Sequence, residues 1–254
     1  HLLGDLVLDA VRQEISQPSS APRRLQISYL PGSRKEEVES LTPFCLEVHD
    51  LLRRRYPDLR GVLHLSPFLP QEQVSSLIQA PPNPAVGELP RQLHGNLLTA
   101  GSSALEIATT DGYQRLSESM LALSIPGTKT AEAGYLRTPV LAMTPLNRPE
   151  HLPSIGLLGL LDFLPGGNHL KGRLMLRLKP KIGLLAHPNI LAGRALIPEI
   201  LDVVDTQGVA AAITSAVEAD GLLESVMAEL ETLYSWEPAP SEEMVQRMLR
   251  LAGP

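Results

Sequence analysis

Short apolar runs alternate with helical patterns between residues 25 and 143 of this 254-residue chain, and this alternation constrains the fold most. The apolar runs occupy residues 25–30, 61–66, 105–110, 121–125 and 140–143. Strands that alternate with helices at this spacing form βαβ units, because parallel strands need a connection long enough to hold a helix. The sequence therefore predicts an α/β fold, a Rossmann-like parallel sheet with helices on both faces.

Helical periodicity and breaker residues predict the other elements. Pro43 is expected to bend or interrupt the first long helix, and residues 91–101 form a polar stretch. A further strand is expected over residues 182–186. The predicted helices cover residues 35–55, 71–79, 113–120, 129–136, 208–234 and 241–251.

The overall composition excludes several classes of protein. Hydrophobic residues make up 43% of the chain and charged residues 20%, which is typical of a folded domain with a real core. The net charge of −6 predicts no general attraction to nucleic acid. The single cysteine, Cys45, excludes an intramolecular disulfide and is expected at a buried helical position. The seven histidines are scattered without the spacing of a zinc site.

Targeting segments and membrane spans have recognisable sequence patterns. The sequence shows neither a signal peptide nor an apolar stretch long enough to span a bilayer. The chain begins with His1 and not with a methionine, and an amphipathic helical pattern over residues 2–11 follows at once. We therefore expect a piece of a longer protein.

Residues 30–34, Leu-Pro-Gly-Ser-Arg, lie between a predicted strand and a predicted helix. A helix that begins here leaves backbone N–H groups unpaired at its N-terminus, where the helix dipole also favours an anion such as phosphate. Ser33 adds a hydroxyl, and Arg34 adds a planar set of donors suited to phosphate oxygens. The alternative is an ordinary turn from strand to helix.

Residues 126–132 repeat this design after the strand predicted over residues 121–125. The turn at Gly127 offers backbone N–H groups and hydroxyls at a second helix N-terminus, so the two termini can hold the two phosphates of a nucleotide diphosphate. The stretch from Gly101 to Glu106 looks similar but precedes a β-branched run, so we expect a hairpin or the start of a strand there.

A third candidate stretch, residues 187–200, follows the strand expected over residues 182–186. Asn189 can bind amide or hydroxyl groups, Arg194 can pair with phosphate, and Glu199 can accept two ribose hydroxyls. The alternative is a capping asparagine, a surface arginine and a glutamate that complements a helix dipole. In a parallel sheet the ligand lies beyond the carboxyl ends of the strands, where all three stretches are expected.

Together the three stretches resemble the C-terminal half of the lipid-A-disaccharide synthase family, bacterial glycosyltransferases of the two-domain GT-B type. The family signatures read Leu-Pro-Gly-Ser-Arg, then Ser-Gly-Thr-x-Thr-x-Glu, then Pro-Asn-Leu-Leu-Ala-Gly-Arg followed by Pro-Glu. Residues 30–34, 126–132 and 188–199 resemble them in the same order. The resemblance implies a UDP-linked acylated glucosamine as donor and an acylated glucosamine phosphate, a lipid-linked acceptor, as the group that receives the sugar.

The resemblance also implies donor-binding roles for nine residues. They are Gly32, Ser33, Arg34, Gly127, Thr128, Glu132, Asn189, Arg194 and Glu199. The general base is expected in a missing N-terminal domain, so the isolated chain should bind a UDP-sugar weakly and catalyse nothing. No metal or other cofactor is expected, because backbone N–H groups and arginine supply the charge stabilisation.

On this basis we expect three parts: a linker helix over residues 1–20, a nucleotide-sugar-binding domain over 21–218 and C-terminal helices over 219–254. Residues 152–181 combine an apolar segment with basic residues, which suits peripheral contact with an anionic membrane; the alternative is a buried helix with solvated basic neighbours. A cytoplasmic location is expected, with peripheral attachment to the inner face of the cytoplasmic membrane if residues 152–181 contact it, and the oligomeric state is left open. Two other functions remain: a UDP-sugar epimerase of the same fold, or a non-catalytic binding or assembly protein.

Overall fold

The computed structural model describes residues 6–19, 23–66, 69, 72, 74–75, 91–101, 103–108, 111–146, 174, 177, 182–236 and 240–252. Within these residues the strands are β1 Arg24–Leu30, β2 Arg60–His64, β3 Arg91–His94, β4 Leu97–Ala100, β5 Ser103–Ala108, β6 Ser119–Ser124, β7 Val140–Pro145 and β8 Glu199–Asp202. The helices are α1 Val7–Glu14, α2 Lys35–Arg55, α3 Gly112–Glu118, α4 Thr128–Tyr135, α5 His187–Ala192, α6 Thr206–Glu218, α7 Leu222–Leu233 and α8 Pro240–Ala252. No helix in these ranges is both long and apolar enough to cross a membrane.

The strands form one sheet in the order β3-β4-β5-β2-β1-β6-β7-β8. The six strands from β5 to β8 pair in parallel, as a Rossmann-like fold requires. The predicted Rossmann-like sheet is confirmed, and two antiparallel strands extend it at one edge: β3 and β4 pair antiparallel with each other, and β4 pairs antiparallel with β5. Gly95 and Gly101, with φ angles of +64° and +59°, form the two tight turns. The hairpin expected at Gly101 is therefore confirmed, whereas residues 91–101 hold strands and not only a polar stretch.

Helices cover both faces of the sheet, as predicted. On one face α2 and α6 pack over the central strands in a core that includes Phe44, Leu63 and Ile213. On the other face α1, α4 and α7 pack over β1, β6 and β7 in a second core that includes Val11 and Leu230. Burial of apolar surface on both sides explains why the central strands read as nearly continuous apolar runs.

Two helix predictions need correction. The interruption expected as one possibility at Pro43 does not occur, because the buried side of α2, which includes Phe44 and Cys45, packs against the sheet and outweighs one missing hydrogen bond. Cys45 is buried, as expected. The single helix expected over residues 208–234 is two helices, α6 and α7, since Gly221 takes a left-handed conformation between them. The helix expected over residues 71–79 falls largely outside the described residues.

Candidate functional site

The first two candidate stretches follow neighbouring strands of the sheet. β1 pairs with β6 in parallel, and Leu30 at the end of β1 lies opposite Ser124 at the end of β6. The chain leaves both strands at the same edge, so Gly32 and Gly127 introduce two adjacent turns that each lead into a helix. Their φ angles of +122° and +142° belong to a region that favours glycine.

The Gly32 turn, residues 31–34, is held by a carboxylate of the chain itself. The backbone N–H groups of Ser33 and Arg34 each donate to Glu37 Oε2 over 3.0 Å. Glu37 is the third residue of α2 and is nearly buried, so it reaches back over the helix N-terminus as in a capping box. The expectation that these N–H groups are unpaired is therefore wrong, because Glu37 takes the place of an external anion.

The guanidinium of Arg34 is held only loosely beside this turn. The side chain is 73% exposed, and its Nη1 lies 3.8 Å from Glu37 Oε1, which is longer than a hydrogen bond. Ser33 is also exposed. The donors that the Gly32 turn offers to a ligand are therefore the side chains of these two residues, and not its backbone amides.

The Gly127 turn, residues 126–129, is arranged differently. Gly127 O accepts hydrogen bonds from the backbone N–H and the hydroxyl of Thr130, over 3.0 and 2.7 Å. In the part of the chain that the structure describes, the N–H groups of Thr128 and Lys129 have no hydrogen-bond acceptor. This helix N-terminus therefore keeps two backbone donors for an anion.

A nearly buried ion pair lies within the first turns of α4. Lys129 Nζ donates to Glu132 Oε2 over 2.7 Å, and the side chain of Glu132 is 8% exposed. Burial raises the pKa of Glu132, whereas Lys129 and a hydrogen bond from Tyr113 favour its charged form. Burial also raises the pKa of Tyr113, and the neighbouring carboxylates of Glu132 and Glu14 add to that rise. The charge of Glu132 is thus compensated within the chain.

Asn189 belongs to an internal network that fixes the loop between α5 and β8. The residue is fully buried, and its Oδ1 accepts from the N–H groups of Leu196 and Ile197 over 2.7 and 2.8 Å. Its Nδ2 donates to Ile197 O and Glu199 Oε1 over 2.9 and 2.6 Å. The side-chain amide therefore has its partners inside the protein.

The prediction of a strand over residues 182–186 is wrong, because Glu199 accepts hydrogen bonds from backbone amides that a strand would use for pairing. The N–H groups of Leu185 and Ala186 each donate to a carboxylate oxygen of Glu199 over 3.0 Å. These donors would otherwise have to pair with a neighbouring strand. The carboxylate of Glu199 therefore orders the approach to α5.

The third stretch lies against the Gly127 turn. The backbone N–H of His187, the first residue of α5, donates to Thr130 Oγ1 over 3.1 Å. Arg194 forms an ion pair with Glu229 of α7. The three stretches that the sequence marked are therefore neighbours, although the polar atoms of several predicted residues already have partners within the chain.

The candidate region also contains three residues to which the sequence patterns above assign no role. Glu37 stands three positions after Arg34, which is the spacing of a capping box and was a usable signal. Lys129 stands in the first turn of a helix, where a cation is disfavoured. Tyr113 comes from α3, and no local pattern connects it with Glu132.

An open cleft lies near the ends at which β1 and β2 begin, opposite the ends that lead to the candidate turns. Several of its charged groups form ion pairs: Arg24 lies 3.0 Å from Glu118, and Arg115 lies 2.7 Å from Glu106. This cleft is away from the glycine turns. Among the described residues, moreover, no group of three or more His, Cys, Asp or Glu side chains is placed to hold a metal ion.

Comparison with known proteins supplies relatives for the chain. No family model matches the sequence. The chain is 26% identical over 217 residues to a lipid-A-disaccharide synthase of Anaeromyxobacter sp. (strain K), and 24% identical over 245 residues to one of Myxococcus xanthus (strain DK1622). The alignments cover 85% and 96% of this chain, but 43% and 48% of those proteins. The chain thus spans less than half the length of these curated relatives.

Solved structures with a similar arrangement include a UDP-GlcNAc 2-epimerase from Neisseria meningitidis, bound to UDP-GlcNAc. Its sequence is 16% identical, the TM-score is 0.45, and the superposition covers 95% of this chain and 48% of that chain. A putative UDP-N-acetylglucosamine 2-epimerase from Listeria monocytogenes is 11% identical, with a TM-score of 0.46 and coverage of 97% and 52%.

Proposed function

We propose that this chain, a divergent relative of the lipid-A-disaccharide synthases, is the donor-binding part of a glycosyltransferase. The full-length enzyme transfers an acylated glucosamine from a UDP-sugar to an acylated glucosamine phosphate, and this chain holds the UDP-sugar. The names of the relatives and the order of the three stretches along the sheet edge support this function.

The observation that carries the proposal is the pair of open backbone donors in the Gly127 turn. The N–H groups of Thr128 and Lys129 lie at a helix N-terminus, which attracts phosphate through both hydrogen bonds and the helix dipole. Arg34, in the adjacent turn, is exposed and loosely held, so it is free to pair with the same diphosphate. The diphosphate is the leaving group, and fixed donors that meet its growing charge lower the barrier to transfer.

The remaining residues have supporting roles in this proposal. Glu132 and Arg194 contact the bound nucleotide sugar. To do so, Glu132 gives up its ion pair with Lys129, and Arg194 gives up its ion pair with Glu229. Asn189 and Glu199 support the nucleotide side by fixing the loop around α5.

Two further groups complete the proposed enzyme. The general base, which removes the proton of the acceptor hydroxyl, belongs to the part of the enzyme outside this chain. Contact with the lipid-linked acceptor or the membrane surface is proposed for residues 152–181, of which the structure describes 174 and 177.

Calorimetric titration of the chain with UDP and with uridine tests the donor site. We expect UDP to bind, and we expect Arg34→Met to weaken UDP about tenfold, or about 1.4 kcal/mol, without a change for uridine. Arg60→Met is the matched control. Arg60 is an exposed arginine at the start of β2, and its replacement removes the same charge from the opposite edge of the sheet.

A chain that gives no heat and no spectral shift with millimolar UDP would contradict the proposed donor site. A second assay concerns the reaction itself. The isolated chain, mixed with a UDP-linked acylated glucosamine and an acylated glucosamine phosphate, should form no disaccharide. Disaccharide formation by this chain alone would show that the general base lies within it.

A further inference from the structure

Lys129 occupies a position that disfavours a cation. It is the second residue of α4, and the first turn of this helix contains no acidic residue. The N-terminal turn of a helix carries partial positive charge, so a lysine there is electrostatically unfavourable. In the signature that residues 126–132 resemble, this position is one of the unspecified ones, so the resemblance assigns no role to Lys129.

Two side chains hold the ammonium group of Lys129. Its Nζ lies 2.7 Å from Glu132 Oε2 and 6.0 Å from the centroid of the Tyr113 ring, within the range of a cation–π contact. The lysine side chain is 23% exposed and the glutamate side chain 8% exposed. The pair is therefore partly shielded from water, and each charge depends on the other.

The Gly127 turn offers the ammonium group a second place. The unpaired N–H groups of Thr128 and Lys129 mark where an anion would bind, and this point is within one helical turn of Glu132. A lysine side chain has a flexible four-carbon stem and three donors that rotate freely. Rotation of this side chain alone can therefore carry its charge from Glu132 to an anion at the turn.

We propose that Lys129 exchanges partners when a nucleotide sugar binds: its ammonium group leaves Glu132 for the diphosphate, and Glu132 then accepts hydrogen bonds from hydroxyl groups of the ligand. This inference rests on the proposed donor site at the Gly127 turn. Lys129 is in this view a positioning residue with two states. It keeps Glu132 charged and the site closed to hydroxyl groups until a diphosphate arrives, so the two halves of the ligand are recognised together.

If the Lys129–Glu132 ion pair stayed intact when a ligand binds, substitutions would have different effects on the affinity for phosphates. If Lys129 only compensated the nearly buried carboxylate, its loss would lower stability and leave the affinity for phosphates unchanged. Replacement of Glu132 by glutamine would likewise leave those affinities unchanged or weaken them. In the exchange mechanism, Glu132 competes with the diphosphate for Lys129, so removal of its charge strengthens binding of an anion that has no hydroxyl groups to offer.

The test measures the affinity of the folded chain for UDP, uridine and inorganic pyrophosphate by calorimetry. We expect Lys129→Met to weaken UDP at least tenfold but not to weaken uridine, which has no phosphate for Lys129 to bind, while Lys129→Arg stays within about threefold of the wild-type UDP affinity. Glu132→Gln should bind pyrophosphate at least threefold more tightly than the wild-type chain. Arg60→Met, which removes a distant charge, should match the wild-type chain with all three ligands.

The outcomes separate this inference from the proposed function. A wild-type chain that does not bind UDP overturns both. Binding of UDP that is unchanged in Lys129→Met, or pyrophosphate that binds no more tightly to Glu132→Gln, overturns the exchange and leaves the donor site standing. If Lys129→Met does not fold because Glu132 has lost its counter-charge, the double variant Lys129→Met/Glu132→Gln removes both charges, and it too should bind UDP at least tenfold more weakly.

Discussion

The Gly32 turn and the Gly127 turn share one backbone design but present different chemistry. Each follows one of two paired strands, contains a glycine with a positive φ angle and opens a helix. The difference lies in the third residue of each helix. Glu37 reaches back to the amides of the Gly32 turn, whereas Thr130 bonds to the carbonyl of Gly127 and leaves the amides of its turn open. The shape of a turn therefore does not decide whether it can bind an anion. The side chain at the third position of the following helix does.

The largest difference between the turns should appear when each glycine is replaced by alanine. A Cβ on Gly32 would clash with the side chain of Glu37, whose Cβ would be 2.9 Å away, whereas a Cβ on Gly127 would meet no atom within 4 Å. Both substitutions strain the backbone, by about 1–3 kcal/mol. Only Gly32→Ala adds a steric clash, which costs about 1–3 kcal/mol more.

Chemical denaturation of the two variants, without ligand, measures this difference in the free energy of unfolding. We expect Gly32→Ala to lose about 2–5 kcal/mol and Gly127→Ala about 1–3 kcal/mol. Equal losses would mean that Glu37 moves aside at no cost, and the Gly32 turn would then be as open as its neighbour.

The alternation of strands and helices could be predicted because it depends on the residues of each segment. The apolar runs that end at Leu30 and Ser124 are largely buried, so the sheet and the edge where the candidate turns lie follow from local sequence. The candidate turns followed from the same reasoning, since a glycine between a strand and a helix marks a change of direction.

The strand predicted over residues 182–186 failed because its backbone donors have an acceptor elsewhere in the chain. Residues 182–186 look like a strand, but the amides of Leu185 and Ala186 bond to Glu199, which is more than ten residues away. Tyr113 and Glu132 meet only because α3 and α4 cover the same face of the sheet. Such partners are set by tertiary packing, and a single sequence does not specify them.

A second difference concerns the residue that braces the open turn. Thr130 is fully buried, donates to Gly127 O and accepts from His187 N. Thr130→Val keeps its shape but removes both hydrogen bonds, so we expect a loss of about 1–3 kcal/mol in the free energy of unfolding. Because the variant also loosens the turn, UDP should bind about tenfold more weakly to it.

Thr138→Val is the matched control for this variant. Thr138 is also fully buried, and its hydroxyl donates to Leu116 O over 2.9 Å, away from both turns. It should lose a similar free energy of unfolding and bind UDP as the wild-type chain does. If both variants bind UDP equally well, Thr130 stabilises the fold without shaping the anion site.

The smallest effect should come from opening the closed turn. Glu37→Ala removes the acceptor of the Ser33 and Arg34 amides, and the loss of such a cap costs about 0.5–2 kcal/mol. Glu36→Ala, at the neighbouring exposed position, removes the same charge from the helix N-terminus but no hydrogen bond to the turn, so it should cost about 0.3–1 kcal/mol. Thermal unfolding with and without inorganic phosphate then separates the two roles of the Glu37 carboxylate, which accepts hydrogen bonds from the turn and places negative charge at the helix N-terminus. Phosphate should raise the melting temperature of Glu37→Ala more than that of Glu36→Ala, because only the former exposes amides that an anion can bind. An equal response of both variants would show that the Gly32 turn, once freed of its own carboxylate, still does not bind an anion, and that the two turns differ in more than the third residue of their helices.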